Sequence, residues 1–485
     1  MRDGFHLPAG GPILRFVGVR MTEVGRMLDH LIDETPDAIP LLALSSAELG
    51  DWLTKAPAHV RAWIESTKFG AEAGTISLVP DQAGALVLAL AGIGDEPLGL
   101  WSLAGLPARL PERAFRLEGV AEAELAGKLA FGWAMGIYEF TRYKASSKRF
   151  ASLVCPEGVD RAALANAIAA TGLVRDLVNT PAEDMGPEEL ADAARSLART
   201  HKAKFATIVG EDLLKKNYPA IHAVGRASVN APRLIDFVWG DADGPKVTLV
   251  GKGVCFDTGG LDLKPAANMK TMKKDMGGAA HVLGLAAMIM EARLKLRLRV
   301  LIPAVENSVA GNALRPLDVV TTRLGKTVEI GNTDAEGRVV LADALAEAAT
   351  ENPDLIIDFA TLTGAARVAL GPELPAMFTN DDPTADALIG QAHRQEDPLW
   401  RMPLWKPYRK MIEGQAAEIT NAAASPHGGA ITAALFLQEF VNPGIPWVHL
   451  DIMAWTPMAR PGRPEGGEAQ AMRAAFAAIA EKFAG

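Results

Sequence analysis

The stretch "KVTLVGKGVCFDTGGLDLKP", Lys246 to Pro265, starts as an apolar run and ends as a cluster of charges. Val247 to Val250 reads as a short strand buried on both faces, because its residues do not alternate with polar ones. Runs of the same texture recur from about residue 170: "KFATIVG", "RLIDFVWG", "LRVLIPAV", "DLIIDFATL" and "WVHLDIM". They alternate with helical stretches such as "GGAAHVLGLAAMIMEARL" and "GGAITAALFLQEF". This alternation predicts an α/β fold with a mostly parallel central sheet covered by helices. Ligands of such sheets bind beyond the carboxyl ends of the strands. Charged residues follow two of these runs closely, in "GKGVCFDTGG" and in "EIGNTDAEGR".

At 485 residues the chain exceeds what a single hydrophobic core supports. We expect two domains: a small N-terminal α/β domain over 1–165, acting as scaffold or in oligomer formation, and a larger catalytic domain over 166–485. In the first, "GTISLVP" and "GALVLALAGI" read as strands, and Ala123 to Lys144 has helical length and periodicity. No catalytic constellation stands out there. The net charge of −9 disfavours a nucleic-acid or anionic-membrane partner. Two cysteines, Cys155 and Cys255, are too few for a disulfide framework and read as small buried hydrophobes. The N-terminal "MRDGFHLPAGGPILRFVGV" is broken by Asp3, His6 and Arg15 and does not read as a signal peptide. The apolar runs are about half of what a bilayer span needs, so a cytoplasmic protein is expected.

Three segments converge on one kind of chemistry. The first supplies Lys252, Asp257 and Lys264, and "KKDMGGAAH" supplies Asp275 just before a glycine pair that opens a helix. The third, "NTDAEGR", supplies Asp334, Glu336 and Arg338 two apart, which on an extended segment would point to one side. Four carboxylates so gathered need cations, and two divalent ions about 3.5–4 Å apart would neutralise them and activate water. None of the nine histidines forms a metal-binding pair, so the donor set is carboxylate-rich; it suits Mn and Mg and is compatible with Zn. Each segment alone has a plainer reading: Asp-Thr-Gly also makes tight turns, Lys273 and Lys274 read as solvated surface charges, and His281 reads as a packed helix residue. The aspartic-protease reading of Asp257-Thr258-Gly259 fails, since one such turn stands where a proton-sharing pair is required and nearby lysines favour ionised carboxylate. A phosphate-binding loop fails too, because "VGKGV" lacks the GxxxxGK[ST] frame.

At these residues the chain resembles the leucyl aminopeptidase family, the cytosolic dinuclear-metal aminopeptidases. The matching motifs are "VGKGVCFDTGGLDLKPAANMKTMKKDMGGAAH", "NTDAEGRVVLADAL", "DFATLTGAA", "RDLVNTPAEDMGP" and "HGGAITAALFL". The resemblance implies that Asp257 and Glu336 bridge two metal ions, Mn or Zn with Mg as an alternative, that Lys252 and Asp275 complete one site, and that Asp334 completes the other. It implies Lys264 as oxyanion stabiliser and Arg338 as holder of a bicarbonate ion. Peptides with a free N-terminus would be the substrates, their α-amine held by one metal. Met272, Asn332, Thr361, Gly364 and the region of Met453 to Trp455 would line the pocket for the first side chain. Large residues at 453 and 455, where relatives carry small ones, put a preference for leucine in question. The resemblance further implies a homohexamer. Two other functions are set against this one: a DNA-binding, transcription-accessory role, as in some bacterial relatives, and a catalytically silent homologue.

Overall fold

The computed structural model describes residues 22–483; the N-terminal stretch considered as a signal lies outside them. The described chain divides into two compact units, Thr22–Gly172 with Met458–Pro464, and Leu173–Pro457 with the segment from Glu465 onward.

In the smaller unit a six-stranded sheet runs in the order Leu31–Ile32, Ser152–Val154, Ala114–Glu118, Ile39–Ser45, Leu86–Gly94, Ile76–Pro80. Two helices, Ser46–Lys55 and Ala58–Thr67, bury Leu49, Val60 and Ile64 in a core shared with Leu44, Val79 and Leu90. The helix expected to continue to Lys144 spans only Ala123–Met135. Gly136 ends it, held so close to the carbonyl of Ala104 that no side chain fits. The residues beyond, Ile137, Tyr138, Phe140 and Thr141, are weak helix formers that add nothing to prolong it.

The larger unit is built on a nine-stranded sheet. Its strands are β1 (Lys204–Val209), β2 (Arg233–Gly240), β3 (Lys246–Gly251), β4 (Gly253–Asp257), β5 (Arg297–Asn307), β6 (Leu355–Ala360), β7 (Ala376–Thr379), β8 (Trp400–Arg401) and β9 (Trp447–Asp451). They lie in the order β8-β7-β9-β6-β3-β5-β2-β1, with β4 also against β5. The central pairings are parallel; β1–β2, β2–β5 and β7–β9 are antiparallel, so the sheet is mixed toward its edges.

Strands β3 and β4 are one run of chain broken at Lys252, and both pair with β5: Arg297–Leu301 with β3, Ala304–Asn307 with β4. At the break the Lys252 N–H donates to the Phe359 carbonyl at 3.0 Å, and the Lys252 carbonyl accepts from Ala279 N at 2.8 Å. Successive strand residues face opposite sides of a sheet. On one side, Val250, Leu301, Ile356 and Ala360 join a core with Val339, Val340 and Ala344 of helix α2 (Glu336–Ala349). On the other, Phe359 stacks on His281 of helix α1 (Gly277–Glu291), ring centroids 5.4 Å apart. Every residue from Gly277 to Met290 is buried, which explains the apolar, unstriped sequence of α1.

A Cβ on Gly278 would collide with the Phe359 carbonyl and meet Lys252 N at 2.8 Å. Gly278→Ala is therefore expected to cost about 1–3 kcal/mol of stability, the usual penalty for overpacking a filled interior. Denaturant unfolding at fixed pH measures it, and an unchanged midpoint would contradict the close approach.

Candidate metal centre

The carboxyl ends of the central strands and the start of α2 gather the charges. Lys252 sits at the β3–β4 break and Asp257 ends β4. Asn307 ends β5, and Thr361 follows β6. Asp275 lies in a 3-10 turn (Met272–Met276) that leads into α1, and Glu336 is the first residue of α2. The expectation that Asp334, Glu336 and Arg338 share one side of an extended segment is not met. Asn332 Oδ1 accepts from Asp334 N at 2.7 Å, which folds 332–334 into a turn, and the chain enters α2 directly. A carboxylate in the first helical turn is also favoured by the helix dipole. Two-residue steps in a helix diverge, so Glu336 reaches Lys252 while Arg338 Nη1 donates to the Asn421 carbonyl at 2.7 Å.

Lys252 Nζ lies 2.7 Å from Asp275 Oδ2 and 2.9 Å from Glu336 Oε1, and donates to the Thr361 carbonyl at 3.1 Å. Lys264 Nζ lies 2.8 Å from Asp257 Oδ2 and also contacts Asp334. Four carboxylates thus face two ammonium groups, and negative charge is in excess. Burial with the neighbouring Asp257 pushes Glu336 up to about 8 and Asp334 up to about 6. Burial alone would raise Asp275 as well, but Lys252 and Lys274 hold it below the usual carboxylate range. Burial opposes the charge on Lys252, yet Asp275, Glu336 and Asp257 together hold it well above the ordinary lysine value.

The donor set fits a cation. Carboxylate oxygens of Asp257, Asp334 and Glu336 lie within 4.8 Å of one another. Glu336 Oε2 is buried and has no hydrogen-bond partner among the described residues. Arg338 fits an anion on similar grounds: it is 8% exposed, its Nε has no partner, and no carboxylate pairs with it among the described residues. Burial pushes this guanidinium down to about 10.

Several supporting side chains escaped the sequence reading. Thr333 Oγ1 donates to the Gly259 carbonyl at 2.6 Å and accepts from Asp262 N at 2.8 Å. Asp262 returns the contact, accepting from Thr333 N at 2.7 Å. Asn307 Nδ2 donates to Asp257 Oδ1 at 2.9 Å and to the Thr333 carbonyl at 3.1 Å. Asn421 accepts from Gly331 N at 2.8 Å and donates to the Asn332 carbonyl at 2.7 Å. These bonds lock the 257–264 loop to the 331–336 loop. Gly259 and Gly260, at φ +90° and +67°, let the first loop turn against the second. Thr333 stands inside "NTDAEGR" and was visible; nothing near Asn307 or Asn421 in sequence marks them.

Beside the carboxylates opens a cavity of about 420 Å³, lined by Met272, Lys274, Thr361, Gly364, Arg367 and Met453 among others. Of the expected pocket residues, Met272, Thr361, Gly364 and Met453 line it, while Asn332 and Trp455 do not. Lys273 and Lys274 are not solvated surface charges. Lys274 is 4% exposed, and burial together with Arg367 pushes it down to about 7. Lys273 is half-buried, donates to the Asn179 carbonyl and sits over the Trp455 ring. The 3-10 turn packs both inward, which a charge run does not disclose. His281 is a helix residue as read: Nδ1 donates to the Gly277 carbonyl at 2.6 Å, Nε2 accepts from Gln470 N at 2.9 Å, and burial holds the ring neutral, pushed down to about 4.

Thr333→Val keeps shape and removes the hydroxyl's bonds to Gly259 and Asp262, leaving the main-chain bond from Thr333 N to Asp262 and the Asn307 bridge. It is expected to weaken divalent-metal binding about 10–100-fold, as loss of outer-shell partners does; competition with a metal-binding dye measures this, and unaltered affinity would show that the loops do not depend on the hydroxyl.

Comparison with known proteins agrees with this geometry. Residues 172–476 match the family model described as "Cytosol aminopeptidase family, catalytic domain", and residues 39–156 match "M17 aminopeptidase, N-terminal domain". The chain is 43% identical over 349 residues to the "Probable cytosol aminopeptidase" of Roseiflexus castenholzii, covering 68% of this chain and 71% of that protein. The crystal structure of cytosol aminopeptidase from Coxiella burnetii is similar at a TM-score of 0.91 and 50% identity, over 94% of this chain and 100% of that one. The bottromycin maturation enzyme BotP in complex with Mn is similar at a TM-score of 0.81 and 34% identity, over 92% and 99% of the two chains. With both domains matched and the carboxylate cluster in place, the chain belongs to the cytosol aminopeptidase family and is a peptide hydrolase.

Proposed function

We propose that the chain removes the N-terminal residue of peptides at a site that takes two divalent cations. The observation that carries this reading is the convergence of the buried Lys252, Asp257, Asp275 and Glu336 with the partly exposed Asp334 on one spot, with Lys264 and Arg338 beside it. Asp257 and Glu336 would contribute to holding both ions, Lys252 and Asp275 to holding one, and Asp334 to holding the other. When bound, the ions supply a polarising charge for the scissile carbonyl and a hydroxide near neutral pH. Lys252 must give up its proton to serve as a ligand. Lys264, on the cavity wall, is the donor for the carbonyl oxygen as negative charge develops on it. Arg338 would hold a bicarbonate, whose planar oxygens match the guanidinium fork, and would so position a proton acceptor for the leaving amine.

Oxygen donors with a single amine suit Mn, and the Mn complex of BotP supports that choice; Zn is the alternative and Mg a further one. No helix among the described residues is long and apolar enough to cross a membrane; the relatives named cytosol aminopeptidase support a cytoplasmic location. Assembly as a homohexamer, with the N-terminal unit as scaffold, completes the reading; exposed Trp400, Trp405 and Val368 offer apolar contact area for self-association.

Given Mn or Zn, the purified protein should release N-terminal residues, leave N-acetylated peptides intact and stop on chelation; cleavage of acetylated peptides would overturn the exopeptidase reading. Arg338→Ala is expected to keep both metals and lose about a hundred-fold or more in rate, whereas Asp275→Asn loses metal. Metal analysis with steady-state kinetics separates the two, and equal metal loss would refute the assigned roles. Because protons compete for Glu336, raised to about 8, and for Lys252, raised further, metal affinity should climb as pH rises through 8. Calorimetry in buffers of different ionisation enthalpy should record proton release on binding; a pH-independent affinity would contradict this.

A further inference from the structure

The cavity beside the metal centre has an apolar side, with Met272, Leu362 and Met453. That alone would suit a leucine side chain. Lys274 also lines it, although only 4% exposed. No hydrogen bond or ion pair engages its ammonium among the described residues, in contrast to every other charged group around it. Asp275, its neighbour in sequence, is taken by Lys252 and by the Thr361 hydroxyl at 2.7 Å. Arg367, the other cation of the wall, is neutralised by Asp451 at 3.0 Å and donates further to the Thr363 and Ile452 carbonyls. Lys274 is thus a buried amine facing the cavity with no hydrogen-bonded counter-charge, and an incoming carboxylate would favour its protonated form. Asn268 and Thr271 line the same wall and bring an amide and a hydroxyl that no protein group engages among the described residues.

We propose that Lys274 makes this pocket selective for an acidic first residue, glutamate or aspartate, whose side-chain carboxylate pairs with the ammonium. This rests on the aminopeptidase reading and adds its substrate class. The physical reason is asymmetric. A leucine side chain leaves the buried ammonium facing methyl groups, and glutamine meets it with a dipole only. Glutamate supplies the missing charge and forms a charge-assisted hydrogen bond, with Thr271 and Asn268 as further donors. A site with a buried polar group discriminates most strongly against substrates that leave it unpaired.

The test compares kcat/KM of the metal-loaded enzyme on the p-nitroanilides of glutamate, aspartate, glutamine and leucine. These substrates have no carboxylate beyond the first residue. Glutamate is expected to exceed glutamine by about ten-fold or more, since a charged pair is roughly twice as strong as a neutral one. Lys274→Met should bring the ratio close to unity, and Lys274→Arg should keep part of it. The ratio is read on one sample, so loss of folded or metal-loaded protein does not move it. Equal rates for glutamate and glutamine in the unmodified enzyme, or a ratio unaltered by Lys274→Met, would overturn the proposal. So would a preference for Leu-Gly over Leu-glycinamide that depends on Lys274, which would assign the ammonium to the far end of a dipeptide. If no anilide is cleaved under any metal, the aminopeptidase reading fails, and the pocket is judged by calorimetry with free glutamate and glutamine. Tighter glutamate binding that Lys274→Met abolishes then supports the pocket's selectivity; equal binding overturns it.

Discussion

Four carboxylates, three of them buried, are brought to one point, and the larger unit is arranged around the need to balance them. Lys252 is the first balancing charge, and its place is set by the main chain, through bonds to Phe359 and Ala279 at the break between β3 and β4. The same break lets one strand run supply two pairings with β5, so sheet geometry and charge compensation share a residue. Lys264 is the second, carried by a loop whose shape depends on Thr333 and Asn307. Two ammonium groups do not cancel four carboxylates, and the raised Glu336 and Asp334 register the shortfall. That imbalance is what a receptive cation site requires.

Much of this was legible in the chain. Each apolar run read as a strand is one; in the central strands burial on both faces demands continuous hydrophobicity and leaves a plain signature, whereas the edge strand β1 is only partly buried. Strand order and the antiparallel edges were not legible, since pairing joins residues far apart in sequence, such as Arg233 and Ala304. The segment around Glu336 was misread as extended because charges two apart mimic a strand, although Asn332 before Asp334 was a turn signal in view. Lys273 and Lys274 were misread for a deeper reason. A charge run looks the same in solution and in a wall, and only the packing of a 3-10 turn against the cavity decides which it is.

The metal-facing residues lie in contiguous motifs, whereas their supports lie scattered. Asn307 and Asn421 reach the centre from other elements, and each spends its amide on more than one partner. Such residues carry no chemistry of their own, so no pattern of charge or spacing singles them out. Their effect is to make two loops move as one body.

The close seating of α1 has an evolutionary reach. At Gly277 and Gly278 the helix meets Ala454, Phe359 and Lys252 with no room for a side chain, so that part of the site is built of backbone. Backbone cannot be altered by exchanging one residue for another. Descent with modification must therefore act on the opposite arc, from Ala267 through Lys274, and on Met453. A lineage could acquire a new diet by changing a few side chains there while the hydrolytic apparatus stayed untouched.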